Sequence, residues 1–599
     1  MSPDPLAVLQ STFGFRQFRG LQAEVIKEVL AGRDAMVLMP TGGGKSLCYQ
    51  IPALIRPGTG IVISPLIALM QDQVEALHQI GVRADYLNSS LTLEDQHRVE
   101  RKLIQGEVDI LYVAPERLIT ARFLNLLDRL TISLFAIDEA HCVSQWGHDF
   151  RSDYLGLSIL HQRFANIPRI ALTATADLRT RQEIAARLDL GAARLFLNSF
   201  DRPNIRYTIL PKESPKQQLL RFLKQAHAEN AGIVYCQSRR KTEETAAFLN
   251  EEGFTALPYH AGLDPQERRE NQRRFLVEDS LIMVATIAFG MGIDKPNVRF
   301  VAHLDLPRSP EAYYQESGRC GRDGLPAEAW MVYGVKDVVL HRQRIDESEA
   351  NEAHKHSERQ RLDALLGICE TTECRREPLL RYFGETLHGK CGNCDNCLSP
   401  PQTFDATQAA QMALSCAYRT GQVYGVQYLI DVLTGATNER ITRQGHERSS
   451  TFGIGKAISS KVWRSVFRQL INRGHLRVDM EQHGALKLTE SCRAILKGDT
   501  QLKLRLDDPK AKGARQGSVG GSSSLGHEGL FEALRQLRRE LAESQGVPPY
   551  LIFQDVTLRE ITATRPRTLA ELGQISGIGQ KKLERYGDSV LEVVWTEEG

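Results

Sequence analysis

The chain has 599 residues, of which 42% are apolar and 25% charged, with a formal net charge of +2. At roughly 100–200 residues per domain this predicts about four soluble domains, not one core. No apolar run approaches the ~18–20 residues of a membrane span, and Met1-Ser-Pro-Asp-Pro lacks the basic-then-apolar pattern of a secretory signal, so the expected compartment is the cytoplasm, with no membrane partner.

The first informative element is the apolar run Ala35-Met-Val-Leu-Met39, which leads through Pro40 into Thr41-Gly42-Gly43-Gly44-Lys45-Ser46 and then a segment able to start a helix. This is a phosphate loop. Its glycines let successive backbone N–H groups turn onto a nucleotide's phosphates, Lys45 reaches the outer phosphates, and the Ser46 hydroxyl suits Mg²⁺. Met39 stands where the usual pattern has Gly.

Further strand-like runs follow at Gly60–Ser64, Val108–Val113, Leu134–Asp138 and Arg169–Thr173, alternating with helical stretches. The alternation predicts a buried parallel sheet with helices on both faces. Asp138-Glu139-Ala-His141 ends one of these strands, where Asp138 is placed to hold Mg²⁺ and Glu139 to orient and polarise the attacking water. The next segment carries Trp146, His148, Phe150 and Arg151, aromatics close to a basic residue that suit unpaired bases.

After Asp201-Arg-Pro-Asn204 a second series begins, with strands expected at Ala231–Tyr235, Leu281–Ala285, Phe300–Leu304 and Ala329–Tyr333. It has no phosphate loop of its own. Two similar lobes with one such loop predict a nucleotide in the cleft between them. Arg319 and Arg322, three apart on one helix face, are candidates to reach across that cleft to the γ-phosphate.

Beyond about Asp337 helices dominate, and Cys391, Cys394 and Cys397 fall within seven residues. Three thiolates at this interval predict a closed, structural Zn²⁺ site with Cys374 or Cys369 as fourth ligand, and spacing does not choose between them. Residues 405–497 carry 13 Lys/Arg against 7 Asp/Glu, a local +6, and fit a winged-helix fold. Its helix near 459–473 is expected to turn Val462, Val466, Phe467 and Leu470 inward and Lys461, Arg464 and Arg468 outward to duplex DNA. The hairpin from His475 to Leu488 forms the wing, with Gln482, His483 and Gly484 at its tip. A Gly/Ser-rich linker over 507–526 then precedes a small helical domain on a tether, with Leu530, Leu534, Leu537 and Leu541 on one face and a local charge of −3 over 528–599.

Together these motifs, in this order, resemble the RecQ family of DNA helicases of bacterial type over nearly the whole chain. Upstream, Phe13-Gly-Phe15-Arg-Gln-Phe18-Arg19-Gly-Leu-Gln22 is similar to the family's adenine-reading motif, with Gly20-Leu21 where Pro-Gly is frequent. The resemblance implies that Phe15 stacks on the base, Gln22 bonds its edge and Arg19 helps hold the nucleotide. Segments 64–72, 112–117, 173–175, 235–239 and 285–295 resemble the elements that couple DNA to the ATP site, with Gly292 and Asp294 assigned to the nucleotide. The loop with Trp146 resembles the family's aromatic-rich loop, with Ser152 where Pro is common. Cys374 lies in a segment similar to the family's zinc-binding helix, which makes it the fourth ligand. The tail resembles the domain shared with ribonuclease D, called HRDC, in which Tyr550 is placed to stack a base.

The implied architecture is α/β: two RecA-like parallel-sheet lobes (1–207 and 208–337), a helical zinc-binding module (338–404), a winged helix (405–506), a linker (507–526) and an all-α HRDC domain (527–599). The implied protein uses ATP, Mg²⁺ and structural Zn²⁺ to unwind DNA 3′-to-5′. Its expected partners are single-stranded, forked and branched DNA in recombination and repair, with a single-stranded-DNA-binding protein as a further partner and the nucleoid as its place. A DNA-stimulated ATPase that remodels without unwinding and a zinc-containing winged-helix regulator are the rival readings.

Overall fold

The computed structural model describes residues 3–144, 151–290, 293–479, 484–506 and 525–597. Lobe 1 is a seven-stranded sheet of β1 (Ala35–Leu38), β2 (Thr59–Ile63), β3 (Ala84–Leu87), β4 (Ile110–Val113), β5 (Ile132–Ile137), β6 (Arg169–Thr173) and β7 (Arg194–Leu197), in the order β3-β4-β2-β5-β6-β1-β7. Every pairing is parallel. The central strands β1, β2, β4, β5 and β6 are buried throughout, which is why they read as unbroken apolar runs. The sheet's edge strands β3 and β7 escape that signature because each exposes part of its length.

Lobe 2 repeats the plan with β8 (Ile205–Pro211), β9 (Gly232–Tyr235), β10 (Ala256–Tyr259), β11 (Ile282–Ala285), β12 (Phe300–His303) and β13 (Ala327–Tyr333), in the order β10-β11-β9-β12-β13-β8. Again all strands are parallel. The division expected at 207/208 falls inside β8, so lobe 2 begins earlier, by Ile205. Strand β8 is an edge, and it is not left open. Tyr207 forms a parallel bridge with Cys394, and the Ile209 N–H donates to Asp395 at 3.0 Å, so the cysteine loop covers it.

The helices Val335–Glu347, Glu352–Glu370 and Arg376–Tyr382 follow. Beyond them lies a separate apolar core built on helices Thr407–Arg419, Val426–Thr434 and Ser460–Asn472, with a hairpin of Leu476–Asp479 and Ala485–Leu488. Val466, Phe467 and Leu470 point inward as expected, while Val462 is only half-buried. Trp463 is fully buried and donates its indole N–H to the Gly455 carbonyl at 3.0 Å. Arg468 corrects the expectation of an outward, DNA-facing cation: it is 8% exposed and ion-paired with Glu370 at the end of the Glu352–Glu370 helix. Its helical position matches Lys461 and Arg464, but this half of the stripe is covered by lobe 2 and the zinc module.

The last domain packs Leu530, Leu534, Ile552, Ile561, Val590 and Val594 into one helical core. No helix among the described residues is long and apolar enough to cross a membrane. Trp463→Ala is expected to cost about 3–5 kcal/mol of winged-helix stability, measured as a lower denaturant midpoint for that domain with the lobe 1 transition unmoved.

Candidate active site

The phosphate loop starts where β1 ends, pinned by the Met39 N–H on the Thr173 carbonyl at 3.1 Å. Gly42 and Gly44 have φ of +77° and +76°, in the left-handed region that glycine tolerates. A Cβ at Gly44 would lie 2.4 Å from the Gln22 side chain, so only glycine lets that amide approach. Gln22 is buried and donates to the carbonyls of Gly44 at 3.1 Å and Gly43 at 3.4 Å, while its Oε1 accepts the Arg19 N–H at 2.8 Å. It thus ties the Phe15–Gln22 segment to the loop. Phe15 is half-buried on a small cluster with Leu9, Ile26 and Ile51, and Arg19 is exposed.

Lys45 donates to the Met39 and Pro40 carbonyls at 3.1 and 3.4 Å. Burial lowers its pKa, against the pull of Glu139 and Asp138. Asp138 follows β5 and is pushed up to about 7 by burial first and by the neighbouring Glu139 second. Glu139 sits at φ 48°, ψ 44°, a left-handed conformation that costs a side-chain-bearing residue on the order of 1–3 kcal/mol. The turn aims its carboxylate at His141 Nδ1, 3.3 Å away, and that ring also meets Thr173 Oγ1 at 2.9 Å. The end of β6 and the acidic turn are therefore one network.

Lobe 2 closes directly on this loop. Thr41 Oγ1 donates to the Gly318 carbonyl at 3.1 Å, Gln315 donates to Thr175 Oγ1 at 2.8 Å, and a Cβ on Gly42 would stand 3.3 Å from Arg322 Cα. Arg322 pairs with Asp294 at 2.5 Å, and buried Arg319 donates to the Gly290 carbonyl. Sequence reasoning missed Arg202. This buried residue between the lobes donates to the carbonyls of Thr41 at 2.6 Å, Gly318 at 3.3 Å, Cys320 at 3.2 Å and Gly321 at 2.9 Å. The only signal was its place in Asp201-Arg-Pro-Asn204, at the start of the second series.

Other expected positions divide. Trp146, His148, Phe150, Gly292 and His483 lie outside the described residues. Arg151 donates to the Pro65 carbonyl at 2.7 Å, joining the end of its loop to the segment after β2. Lys461 and Arg464 are exposed, the first 3.6 Å from Glu213 of lobe 2 and the second bonded to Gln427 at 3.0 Å.

Cys374, Cys391, Cys394 and Cys397 bring their sulfurs within 4.8 Å of one another, and Cys369 is buried elsewhere. Zn–S bonds of about 2.3 Å in a tetrahedron require S···S separations near 3.8 Å, and Cys391 and Cys397 already stand at 3.8 Å. Backbone N–H groups of Arg375 and Asn393 point at Cys394 and Cys391 sulfurs, both at 3.4 Å. Hydrogen bonds from the Cys391 thiol and the Arg375 N–H pull the Cys394 thiol below its ordinary range. Four sulfurs so arranged fit a structural Zn²⁺ with no open position.

The tail, expected as a small helical domain at the end of a linker, is docked on the motor. It rests on both lobes: the Gly577 N–H donates to the Gly14 carbonyl at 2.9 Å, Tyr586 to Gln79 at 3.0 Å, and Arg535 to Asp279 of lobe 2 at 3.0 Å. The Tyr550 hydroxyl is buried with no partner among the described residues, its pKa raised by burial and then by Asp72 and Asp294.

Two parallel-sheet lobes that share one nucleotide loop, with cations of the second facing it, define a two-lobed helicase motor. The chain matches the DEAD/DEAH box helicase model over 19–184 and the helicase conserved C-terminal domain over 214–324. It continues with the RecQ zinc-binding model over 335–398, the RQC domain over 400–512 and the HRDC domain over 527–594. It is 46% identical to the ATP-dependent DNA helicase RecQ of Haemophilus influenzae, over 99% of this chain and 96% of that one. With the RecQ helicase of Bacillus subtilis it shares 37% over 98% of each chain. The chain belongs to the RecQ family and is an ATP-dependent DNA helicase.

Arg202→Ala is expected to lower ATP turnover at least about tenfold, the equivalent of ~1.4 kcal/mol in the barrier, while nucleotide affinity shifts less. Steady-state hydrolysis beside equilibrium binding of a fluorescent ATP analogue checks this.

Proposed function

We propose that the motor unwinds forked and branched DNA of recombination and repair in the 3′-to-5′ direction, with the ATP site split between the lobes. Thr41 to Ser46 hold the phosphates, Ser46 and Asp138 hold Mg²⁺, and Phe15, Arg19 and Gln22 hold the base. The metal supplies charge neutralisation on the phosphates when bound. Glu139 orients the attacking water, and Arg319 and Arg322 compensate charge that develops on the γ-phosphate. The observation that carries this reading is the backbone of Arg322 lying against Gly42. Lobe 2 needs no large movement to meet the phosphate loop, so the state of the terminal phosphate bears directly on lobe closure.

Lys461 and Arg464 hold duplex beside the fork through its phosphates, and Trp146, His148, Phe150 and Arg151 sense the unpaired strand. What supports a winged-helix duplex platform is the local +6 together with two exposed cations one helical turn apart. The HRDC domain works on the motor and not as a single-strand clamp, a reading supported by its local −3 and by the buried Tyr550 hydroxyl.

Lys45→Ala is expected to abolish single-strand-stimulated ATP hydrolysis, and fork unwinding with it. Hydrolysis that persists at the wild-type rate contradicts the assigned site. Joint substitution of Lys461 and Arg464 by alanine is expected to weaken duplex affinity and reduce its log–log salt slope by about 2, since each phosphate contact contributes ~0.9. Cys394→Ser is expected to leave the purified protein without stoichiometric zinc by elemental analysis, and the 335–398 region open to protease.

A further inference from the structure

The chain crosses from lobe 1 to lobe 2 through residues 198–204, between the end of β7 at Leu197 and the start of β8 at Ile205. Arg202 leaves this crossing to enter the ATP cleft. A segment outside helix and sheet has to find hydrogen-bond partners elsewhere, and here several come from the zinc module. Glu385, just beyond the Arg376–Tyr382 helix, accepts the Ser199 hydroxyl at 2.6 Å on one carboxylate oxygen and the Phe200 N–H at 2.7 Å on the other. Arg376 is 2% exposed, pairs with Asp201 at 2.8 Å, and donates to the carbonyls of Pro203 at 3.2 Å and Ile205 at 2.6 Å. Asn393 of the cysteine loop donates to the same Pro203 carbonyl at 3.1 Å. The residues on both sides of Arg202 are therefore held from the zinc module, while Arg202 itself runs to Thr41 and to residues 318–321.

Phe200 ties this crossing to the acceptors as well. Its ring stacks on Phe383 of the zinc module, with centroids 4.8 Å apart and planes 13° from parallel, and its carbonyl accepts the Tyr314 hydroxyl at 2.9 Å. Tyr314 lies on the Pro310–Ser317 helix, which leads directly into Gly318, Cys320 and Gly321, whose carbonyls Arg202 bonds. Its ring meets Phe383 too, at 5.0 Å. One zinc-module side chain thus packs against both the segment that delivers Arg202 and the helix that delivers its acceptors. Placement matters in such a site, because a displacement of about 1 Å originating far from the chemistry can cost on the order of 100-fold in rate.

We propose that Glu385 and Arg376 are positioning residues for ATP hydrolysis. They act through the crossing segment, which they hold so that Arg202 joins the phosphate loop at Thr41 to the Gly318–Gly321 turn of lobe 2. By this route the zinc module contributes to the ATP cycle and not to folding alone. The proposal rests on the reading of the ATP site as split between the lobes.

The test uses the full chain and compares Glu385→Ala, Arg202→Ala and the double variant. Single-strand-stimulated ATP turnover gives kcat and KM, and elemental analysis gives the zinc content. Glu385→Ala is expected to lower kcat about fivefold, with KM for ATP within about twofold and zinc still stoichiometric. In the Arg202→Ala background the same substitution is expected to change kcat by less than about twofold, since its effect passes through a side chain already removed. Glu385→Gln, which keeps an acceptor for one of the two donors, is expected to recover part of the lost kcat. An equal factor in both backgrounds, or wild-type kcat in Glu385→Ala, overturns the proposal. Should Glu385→Ala lose its zinc, Ser199→Ala removes the donor from the other side of the contact and is judged by the same cycle. The two readings fail separately: wild-type turnover in Arg202→Ala removes the reading of the cleft, whereas turnover lost in Arg202→Ala but kept in Glu385→Ala and Ser199→Ala removes the positioning role alone.

Discussion

The structure depends on where the cations of its ATP cleft are parked. Lys45, Arg202, Arg319 and Arg322 converge on one cleft, and their compensation comes largely from backbone carbonyls: Met39 and Pro40 for Lys45, four separate carbonyls for Arg202, and Gly290 for Arg319. Carbonyl dipoles satisfy a buried cation without adding a second full charge. Such a cation exchanges partners at far lower cost than one locked in a tight ion pair. A site that must admit and release a polyphosphate in every cycle needs that property. Among the described residues Arg322 alone of the four is ion-paired with a carboxylate, that of Asp294 in the same lobe.

The opposite choice is made away from the cleft. Arg376 with Asp201 and Arg468 with Glu370 are guanidinium–carboxylate pairs that join separate modules, and Arg375 with Asp395 ties the cysteine loop to the helical part of the zinc module. Pairs of this kind are poor at exchange and good at fixing one geometry. The cysteine cluster lies within this stiff region: Asp395 follows Cys394 in sequence and caps the β8 edge through Ile209. Cysteine cluster, edge strand β8 and winged helix are consequently joined by buried polar contacts, whereas the ATP cleft is lined by cations held mainly on carbonyls.

The HRDC domain sits across that cleft's outer side with contacts to both lobes. Its docking combines backbone hydrogen bonding at Gly14, where a Cβ would stand 2.5 Å from the Gly579 nitrogen, with Arg535 and Arg538 directed at Asp279. A domain with these contacts feels the separation of the lobes. Its acidic surface, unhelpful for holding a single strand, is no handicap in that position.

The local code was legible in the chain. Glycine spacing defined the phosphate loop, unbroken apolar runs marked the doubly covered strands, and the cysteine interval announced a metal site, because each is a property of neighbouring residues acting through backbone geometry. The edge strands β3, β7 and β10 were not legible, since partial exposure erases the apolar run that marks a buried strand. Arg202 gave no signal beyond its place at the start of the second series, its four acceptors being brought together from Thr41 and from residues 318–321. Arg468 looked like a DNA contact because helical spacing and residue type place a cation on a face, but say nothing of what covers that face. Only the tertiary structure decides it, by bringing Glu370 and Tyr333 over that face. Burial is a property of the whole packed molecule, and no window along the chain contains it.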